Sequence, residues 1–233
     1  MTQQLLLDLL PASPPTLDGF VAGANHACLQ AVRELSPGRA LYLWGGAGSG
    51  RSHLLRARAL ADGAHYFDAQ SAADELLGLA HDEARQFQLV AIDDVDAAGP
   101  AAQAALFALY NRWRSVAATP NAFALLLAGA RAPLALSLRE DLRTRLGWDL
   151  VFRLEQLSDA DRAAALRERA QARGLRLGDD VLGWILTHYD RDMGRLAALI
   201  DALDRYSLSR HRPITLPLLK DLLADRPQSH RTP

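Results

Sequence analysis

Residues 40–52, ALYLWGGAGSGRS, decide the fold of this chain. An apolar run leads into a glycine-rich turn and then into a segment of helical character, which is the strand, turn and helix order of a P-loop. The spacing is that of G-x-x-x-x-G-K-[ST], in which backbone N–H groups and a helix N-terminus bind phosphates. The alternative is a tight strand-to-helix turn that only requires glycines. We predict a nucleotide-binding turn formed by Gly45, Gly46, Ala47, Gly48, Ser49, Gly50, Arg51 and Ser52.

Two residues of this turn define the expected chemistry. Ser52 has the hydroxyl that binds Mg²⁺ in a P-loop. Arg51 stands where the motif has a lysine, and the one lysine of the chain is Lys220. Arginine binds phosphate as a rigid planar fork and lysine as a compact charge, so the two are not interchangeable. We therefore expect nucleotide binding with an altered contact to the γ-phosphate.

A second element of the site is the run LVAIDD at residues 89–94. It predicts a buried parallel strand that ends at Asp93, a ligand for Mg²⁺ beside the P-loop. Asp94 stands where many ATPases have a glutamate that activates water, and it is a weak candidate base because its side chain is one methylene shorter. The alternative is that Asp94 only begins the next helical turn. The strand at 123–128 has no amide or hydroxyl at its end to sense a γ-phosphate, so we expect weak hydrolysis.

The first strands are predicted at residues 40–44 and 64–68, with a helix at 50–61 between them. Strands alternating with helices as far as residue 155 predict an α/β fold with an open parallel sheet flanked by helices. Only helices are predicted beyond that point. We divide the chain into a peptide and linker at 1–15, a nucleotide-binding α/β domain at 16–155, a small all-helical domain at 156–224 and a disordered tail at 225–233. Predicted helix caps are Asn25, Ser71 and Asp190, and residues 158–161 predict a capping box.

Composition narrows the functional class. The chain has 233 residues, 49% of them apolar, a net charge of −1 and a pI near 6.7, which argues against a basic nucleic-acid surface. The single cysteine, Cys28, excludes an internal disulfide and suits a reducing compartment. No apolar run is long enough for a bilayer and no signal peptide is present, so we expect a cytoplasmic protein without a membrane partner.

The N-terminal run QQLLLDLL at residues 3–10 is too short to form a core, and the prolines that follow separate it from the next element. It is either a tail that folds back or a docking peptide for a groove on another protein. In the second case Gln4 is the polar anchor, and Leu7 and Leu9 are the apolar anchors.

The order of P-loop, Asp-Asp strand, R-x-R-L-G-W segment and helical domain resembles the AAA+ ATPases of the bacterial initiator (DnaA) clade. Within that clade, residues 48–55, 109–112, 137–148 and 156–159 are similar to the Hda family, the DnaA-homologous proteins that inactivate the initiator. An arginine in the P-loop is part of that family's pattern. The resemblance identifies the helical domain as a lid.

The resemblance implies specific partners. Hda-like proteins bind the DNA sliding clamp through Q-L-x-L-x-L, matched here by Gln4, Leu5, Leu7 and Leu9, with Asp8 where proline is frequent. They bind ADP or ATP with Mg²⁺, with ADP favoured, contact DNA only indirectly, and trigger hydrolysis by ATP-loaded DnaA. Whether the protein forms a homodimer is left open by the resemblance.

The resemblance also assigns two arginine positions. The family's trans-acting arginine finger maps onto Arg145, for which the alternative is a surface arginine in a salt bridge. The lid's nucleotide-sensing arginine maps onto Gly194, with Arg195 one residue on and therefore rotated by about 100° around a helix. Arg191 is a second candidate.

We therefore predict a negative regulator of replication initiation that docks on the clamp and stimulates ATP hydrolysis by DnaA. Whether it is itself an enzyme stays open, with weak or no intrinsic ATPase activity expected. The alternatives are a self-standing ATP-driven loader or motor in DNA replication, and an adaptor that only tethers DnaA to the clamp.

Overall fold

The computed structural model describes residues 14–69, 73–82, 86–189 and 192–224. Two compact units are present, Pro15–Gln156 and a unit that contains the residues from Leu157 onward. The first holds helices and strands in alternation: α1 (His26–Glu34), β1 (Ala40–Trp44), α2 (Arg51–Arg58), β2 (Ala64–Asp68), α3 (Ala73–His81), β3 (Leu89–Asp93), α4 (Pro100–Val116), β4 (Ala124–Gly129), α5 (Glu140–Leu146) and β5 (Leu150–Arg153).

The five strands form one parallel sheet in the order β2-β3-β4-β1-β5. Parallel strands buried on both faces need apolar side chains at successive positions, and β3 and β4 are buried along their whole length. Alternate residues of the strands enter two separate cores, one with α3 and α4 and one with α1 and α2. The predicted open α/β sheet is therefore confirmed, and the carboxyl ends of all five strands lie at one edge.

The strand predictions agree closely with the structure. The predicted bounds of β1 and β2 are those observed, whereas α2 ends at Arg58, three residues before the predicted end at Ala61. Asn25 precedes α1 but makes no side-chain capping bond. The predicted cap Ser71 lies outside the described residues.

The second unit contains four helices, α6 (Asp159–Ala172), α7 (Asp179–His188), α8 (Met193–Arg210) and α9 (Leu216–Ala224), around a core of their own. The capping box predicted at 158–161 is present, because Ser158 Oγ accepts from Asp161 N and the Asp161 carboxylate accepts from Ser158 N. The prediction that Asp190 caps the third helix was wrong: Asp192 caps α8 by accepting from Arg195 N.

A search of the described ranges for a helix long and apolar enough to cross a membrane finds none.

Candidate functional site

The P-loop connects β1 to α2 with two close backbone approaches. A Cβ atom at Gly45 would lie 2.5 Å from the Leu154 carbonyl oxygen, so this turn passes too close to the end of β5 for any side chain. Gly50 has φ of 94° in the left-handed region, and a Cβ atom there would lie 2.6 Å from the Phe20 ring. These contacts hold the turn against its neighbours and start α2 at Arg51.

Two side-chain polar atoms of the P-loop are buried without a hydrogen-bond partner. They are Ser49 Oγ and Arg51 Nη1. Unpartnered buried donors are costly unless a ligand satisfies them. Ser52 lies half-buried in the first turn of α2, where exposed backbone N–H groups favour an anion. The predicted P-loop residues therefore fit the phosphates of a nucleotide.

Asp93 lies at the end of β3 and is only 2% exposed. Its Oδ1 accepts the Asp94 backbone N–H at 3.0 Å, and its Oδ2 accepts the Tyr66 hydroxyl at 3.0 Å. Burial, followed by the Asp93 charge, raises the pKa of Tyr66 to about 12, so the phenol is a donor at neutral pH. A buried carboxylate beside a P-loop fits the predicted role as a Mg²⁺ ligand, together with Ser52.

Asp94 has a left-handed backbone conformation, with φ of 47°. Its Oδ1 lies 3.7 Å from Arg51 Nη2, which makes an ion pair between the P-loop and the end of β3. Burial and the neighbouring Asp93 raise the pKa of Asp94, and Arg51 opposes this effect. Asp94 does precede a short 3₁₀ turn, Val95–Ala97, but its side chain makes no capping bond. Its carboxylate therefore faces Arg51 and not the turn.

The end of β4 has no polar side chain of its own, as its sequence indicates. Asp96 Oδ1 accepts the Ala130 backbone N–H at 2.8 Å, and a Cβ atom at Gly129 would lie 3.0 Å from the same oxygen. The carboxylate of Asp96 thus occupies the position beside the strand end.

The sequence predicted no role at the P-loop for three residues that lie near it. Phe20 packs on Gly50 and lies 5.6 Å from the His53 ring. Asn25 accepts from Glu155 N at 2.8 Å and donates to Glu155 O at 2.9 Å. Gln156 donates to the Ala47 carbonyl at 2.6 Å. These contacts join residues more than a hundred positions apart, or surround a glycine, so local patterns do not reveal them.

Arg145 is half-buried near the end of α5, and aromatic rings surround its guanidinium. The guanidinium carbon is 3.9 Å from the centroid of the Phe107 ring and 5.1 Å from that of Trp148. Its Nη1 donates to the side-chain oxygen of Asn111. Among the described residues no carboxylate pairs with Arg145, so the salt bridge considered as the alternative is absent there. The phenylalanine and asparagine come from α4, which no spacing around Arg145 predicts.

The remaining predicted site residues belong to other parts of the chain. Gly194 and Arg195 both lie in the first turn of α8. Arg191 lies outside the described residues, as do Gln4, Leu5, Leu7 and Leu9. Their roles stay predictions.

Comparison with known proteins finds a family match in the second unit and a similarity of fold to solved structures. A family model described as "Hda, lid domain" matches residues 159–223, the four helices of the second unit. The fold resembles domain III of the Thermotoga maritima replication initiation protein DnaA, with a TM-score of 0.70, 23% identity, and coverage of 94% of this chain and 100% of that one. The chain is Hda-like in its lid and DnaA-like in its fold.

Other solved structures share the fold of this Hda-like protein. AMPPCP-bound DnaA from Aquifex aeolicus matches with a TM-score of 0.64 and 20% identity over 85% of this chain and 68% of that chain. The Holliday junction branch migration motor RuvB of Thermotoga maritima matches with a TM-score of 0.63 and 16% identity over 91% and 72%. The AAA+ sheet and helical lid predicted from the sequence are therefore the fold of this Hda-like protein.

Proposed function

We propose that this Hda-like protein is a nucleotide-bound negative regulator of replication initiation. In this proposal it docks on the DNA sliding clamp through residues 4–9 and accelerates ATP hydrolysis by DnaA by inserting Arg145 into the partner's site. The lid match and the DnaA-like fold support a replication-related AAA+ protein. The clamp contact rests on the resemblance of Gln4, Leu5, Leu7 and Leu9 to the family's docking peptide.

The observation that carries the proposal is the environment of Arg145. Its guanidinium is held by Phe107, Trp148 and Asn111, which restrict its motion without neutralising its charge. An arginine fixed on aromatic rings loses less conformational entropy when it binds an anion, because its planar donors are already ordered. This is the property expected of a finger that acts on a second protein.

The chemistry of such a finger is electrostatic. Negative charge develops on the oxygens of the transferred phosphoryl group of ATP, and a guanidinium placed there stabilises it. Fingers supplied by a second protein contribute about 10³ to 10⁵ in rate. Arg145 therefore acts on the ATP of DnaA, while the nucleotide of this chain has a binding role.

For that nucleotide, ADP or ATP, we assign Ser49, Arg51 and the N-terminus of α2 to the phosphates. Ser52 and Asp93 are the residues that would hold Mg²⁺, which neutralises phosphate charge when bound. Hydrolysis by this chain is expected to be weak, since the Arg51 guanidinium contacts Asp94 at 3.7 Å and the end of β4 is occupied by Asp96. Arg195 is the residue proposed to sense the nucleotide from the lid.

The decisive experiment measures ATP hydrolysis by the cognate DnaA in the presence of DNA-loaded clamp. The wild type is expected to accelerate turnover, and Arg145→Ala to remove the acceleration while clamp binding and nucleotide affinity stay unchanged. Arg145→Lys keeps the charge but loses the planar fork, so we expect it to retain only a small part of the acceleration of ATP hydrolysis.

The control is Arg33→Ala, which removes an exposed arginine that pairs with Asp18 on the surface of the same unit. It is expected to behave as the wild type. Full activity of Arg145→Ala together with its loss on deletion of residues 4–9 would favour the adaptor alternative. Rapid turnover by this chain alone, lost in Asp94→Asn, would favour the motor alternative.

A further inference from the structure

A hydrogen bond from β2 orients the carboxylate assigned to Mg²⁺. We propose that Tyr66 is a positioning residue, whose hydroxyl fixes the orientation of Asp93 for the metal–nucleotide complex. The inference rests on the proposed nucleotide site and adds to it a residue that the sequence does not mark.

The two oxygens of Asp93 are held by donors from different elements. Oδ1 accepts the N–H of Asp94 in its own strand end, whereas Oδ2 accepts the hydroxyl of Tyr66 in the neighbouring strand, each at 3.0 Å. A carboxylate held only by the first bond could rotate about its terminal torsion, which is soft. The Tyr66 bond restricts that rotation, because each carboxylate oxygen then accepts one hydrogen bond from a fixed donor.

The sheet register explains why Tyr66 reaches this carboxylate. β2 and β3 are parallel, with Asp68 opposite Asp93 and Tyr66 opposite Ala91. Tyr66 therefore starts two residues before the strand end, and its long side chain extends to the edge where the phosphates are proposed to bind. A phenylalanine here would reach the same place without a donor.

Tyr66 is also supported from the P-loop helix. The guanidinium carbon of Arg56, in α2, lies 5.2 Å from the centroid of the Tyr66 ring. Interaction with the Tyr66 hydroxyl raises the pKa of Arg56. The ring of Tyr66 thus contacts both the helix that begins at the P-loop and the strand end at Asp93, which restricts the donor of the bond.

A positioning role and a purely structural role make different predictions. If the bond only stabilises the fold, its removal lowers stability but leaves the effect of Mg²⁺ on nucleotide binding unchanged. If it orients Asp93, its removal raises the Mg²⁺ concentration needed for tight binding. Outer-shell partners of metal ligands typically change metal affinity by about tenfold to a hundredfold.

The test uses the full chain and a fluorescent ADP analogue, titrated first in EDTA and then with increasing MgCl₂. Tyr66→Phe is compared with Tyr110→Phe, which removes the hydroxyl of a buried tyrosine of α4. For Tyr66→Phe we expect about a tenfold rise in the Mg²⁺ concentration at half-saturation and unchanged affinity in EDTA. Tyr110→Phe should match the wild type in both.

A second measurement keeps the inference testable if Tyr66→Phe is less stable. In an Asp93→Ala background, Tyr66→Phe should cause no further change in the Mg²⁺ dependence, because the group that it orients is missing. A Mg²⁺ titration of Tyr66→Phe that overlays the wild type would overturn the inference while the nucleotide site stands. Absence of ADP binding by the wild type would overturn the nucleotide site and the inference with it.

Discussion

Arg51 and Arg145 lie in the same α/β unit, but their guanidinium groups have different partners: a carboxylate faces Arg51, and aromatic rings contact Arg145. Arg51, 13% exposed, is directed toward the carboxylate of Asp94 at 3.7 Å. Arg145 lies across Phe107 and beside Trp148, and within the described chain no carboxylate pairs with it. In the first arrangement, a carboxylate of the same chain partly neutralises the arginine charge. The second keeps the charge ordered and unneutralised, which suits an anion supplied by another molecule.

Among substitutions that leave both arginines in place, the largest effect is expected from changing the aromatic support of Arg145. Phe107→Leu keeps apolar volume but removes the ring 3.9 Å from the guanidinium. Cation–π contacts contribute about 0.5–2 kcal/mol, and small displacements of a catalytic group can cost about a hundredfold in rate. We expect stimulated hydrolysis by DnaA to fall by about tenfold or more, with ADP affinity unchanged, in a steady-state assay.

The control for that substitution is Phe87→Leu. Phe87 supports a different guanidinium, that of Arg112, at 4.9 Å. This variant should lower thermal stability because Phe87 is buried, yet stimulate DnaA as the wild type does. Equal loss of stimulation in both variants would contradict a specific role of the ring beneath Arg145.

A third arginine, Arg39, contributes to the stability of the fold, and we expect this contribution to depend on pH. Arg39 makes two hydrogen bonds to Asp149, at 2.5 and 2.7 Å, and Ala40 N donates to the same carboxylate at 2.9 Å. The bond from Arg39 lowers the pKa of Asp149. Because the folded pKa is below the unfolded value of about 3.9, this stabilisation is complete above that value and is lost as the pH falls through the folded pKa.

Asp149→Asn is therefore expected to lower the free energy of unfolding by about 1–2 kcal/mol between pH 5 and 8, since charge-assisted bonds to a partly exposed arginine are modest. The difference from wild type should shrink below about pH 4. Urea unfolding at several pH values measures both. Asp18→Asn, whose carboxylate is 95% exposed, should change nothing. A difference that stayed constant down to pH 2 would contradict the assigned cause.

The smallest effect is expected at the partner of Arg51. Asp94→Asn removes a negative charge beside the proposed phosphate site and releases the guanidinium from its ion pair. A partly solvated pair of this length is worth about 1 kcal/mol or less, so ADP affinity should rise by about threefold to fivefold by calorimetry. Asp74→Asn, an exposed carboxylate of α3, is the control. A fall in affinity would show that Asp94 aids nucleotide binding.

The sequence predicted the parts of the molecule that local pattern determines. The predicted bounds of β1 and β2 agree with the structure to the residue, and the Ser158 box located the start of the lid helices. Where two local signals competed, the prediction was wrong: Asp190 and Asp192 both precede α8, and the structure uses the second. The end of α2 was also missed, because its alanines continue a helical composition past Arg58.

The contacts that define the site could not be predicted from local pattern. Arg51 meets Asp94, and Tyr66 meets Asp93, only because the sheet order and register bring these elements together. Phe107 supports Arg145 because α4 and α5 pack against each other. Residue identity therefore predicted which groups are chemically competent, while packing determined how each is oriented.

The paired bonds between Asn25 and Glu155 have a consequence for chain connectivity. They place the N-terminal segment of the α/β unit, at the residue before α1, beside the end of that unit, bonded through both the N–H and the carbonyl of Glu155. A unit whose ends meet tolerates circular permutation. A chain that joins residue 156 to residue 15 and opens at the exposed turn around Asn121 should fold with the same sheet, although its strands would be synthesised in a different order.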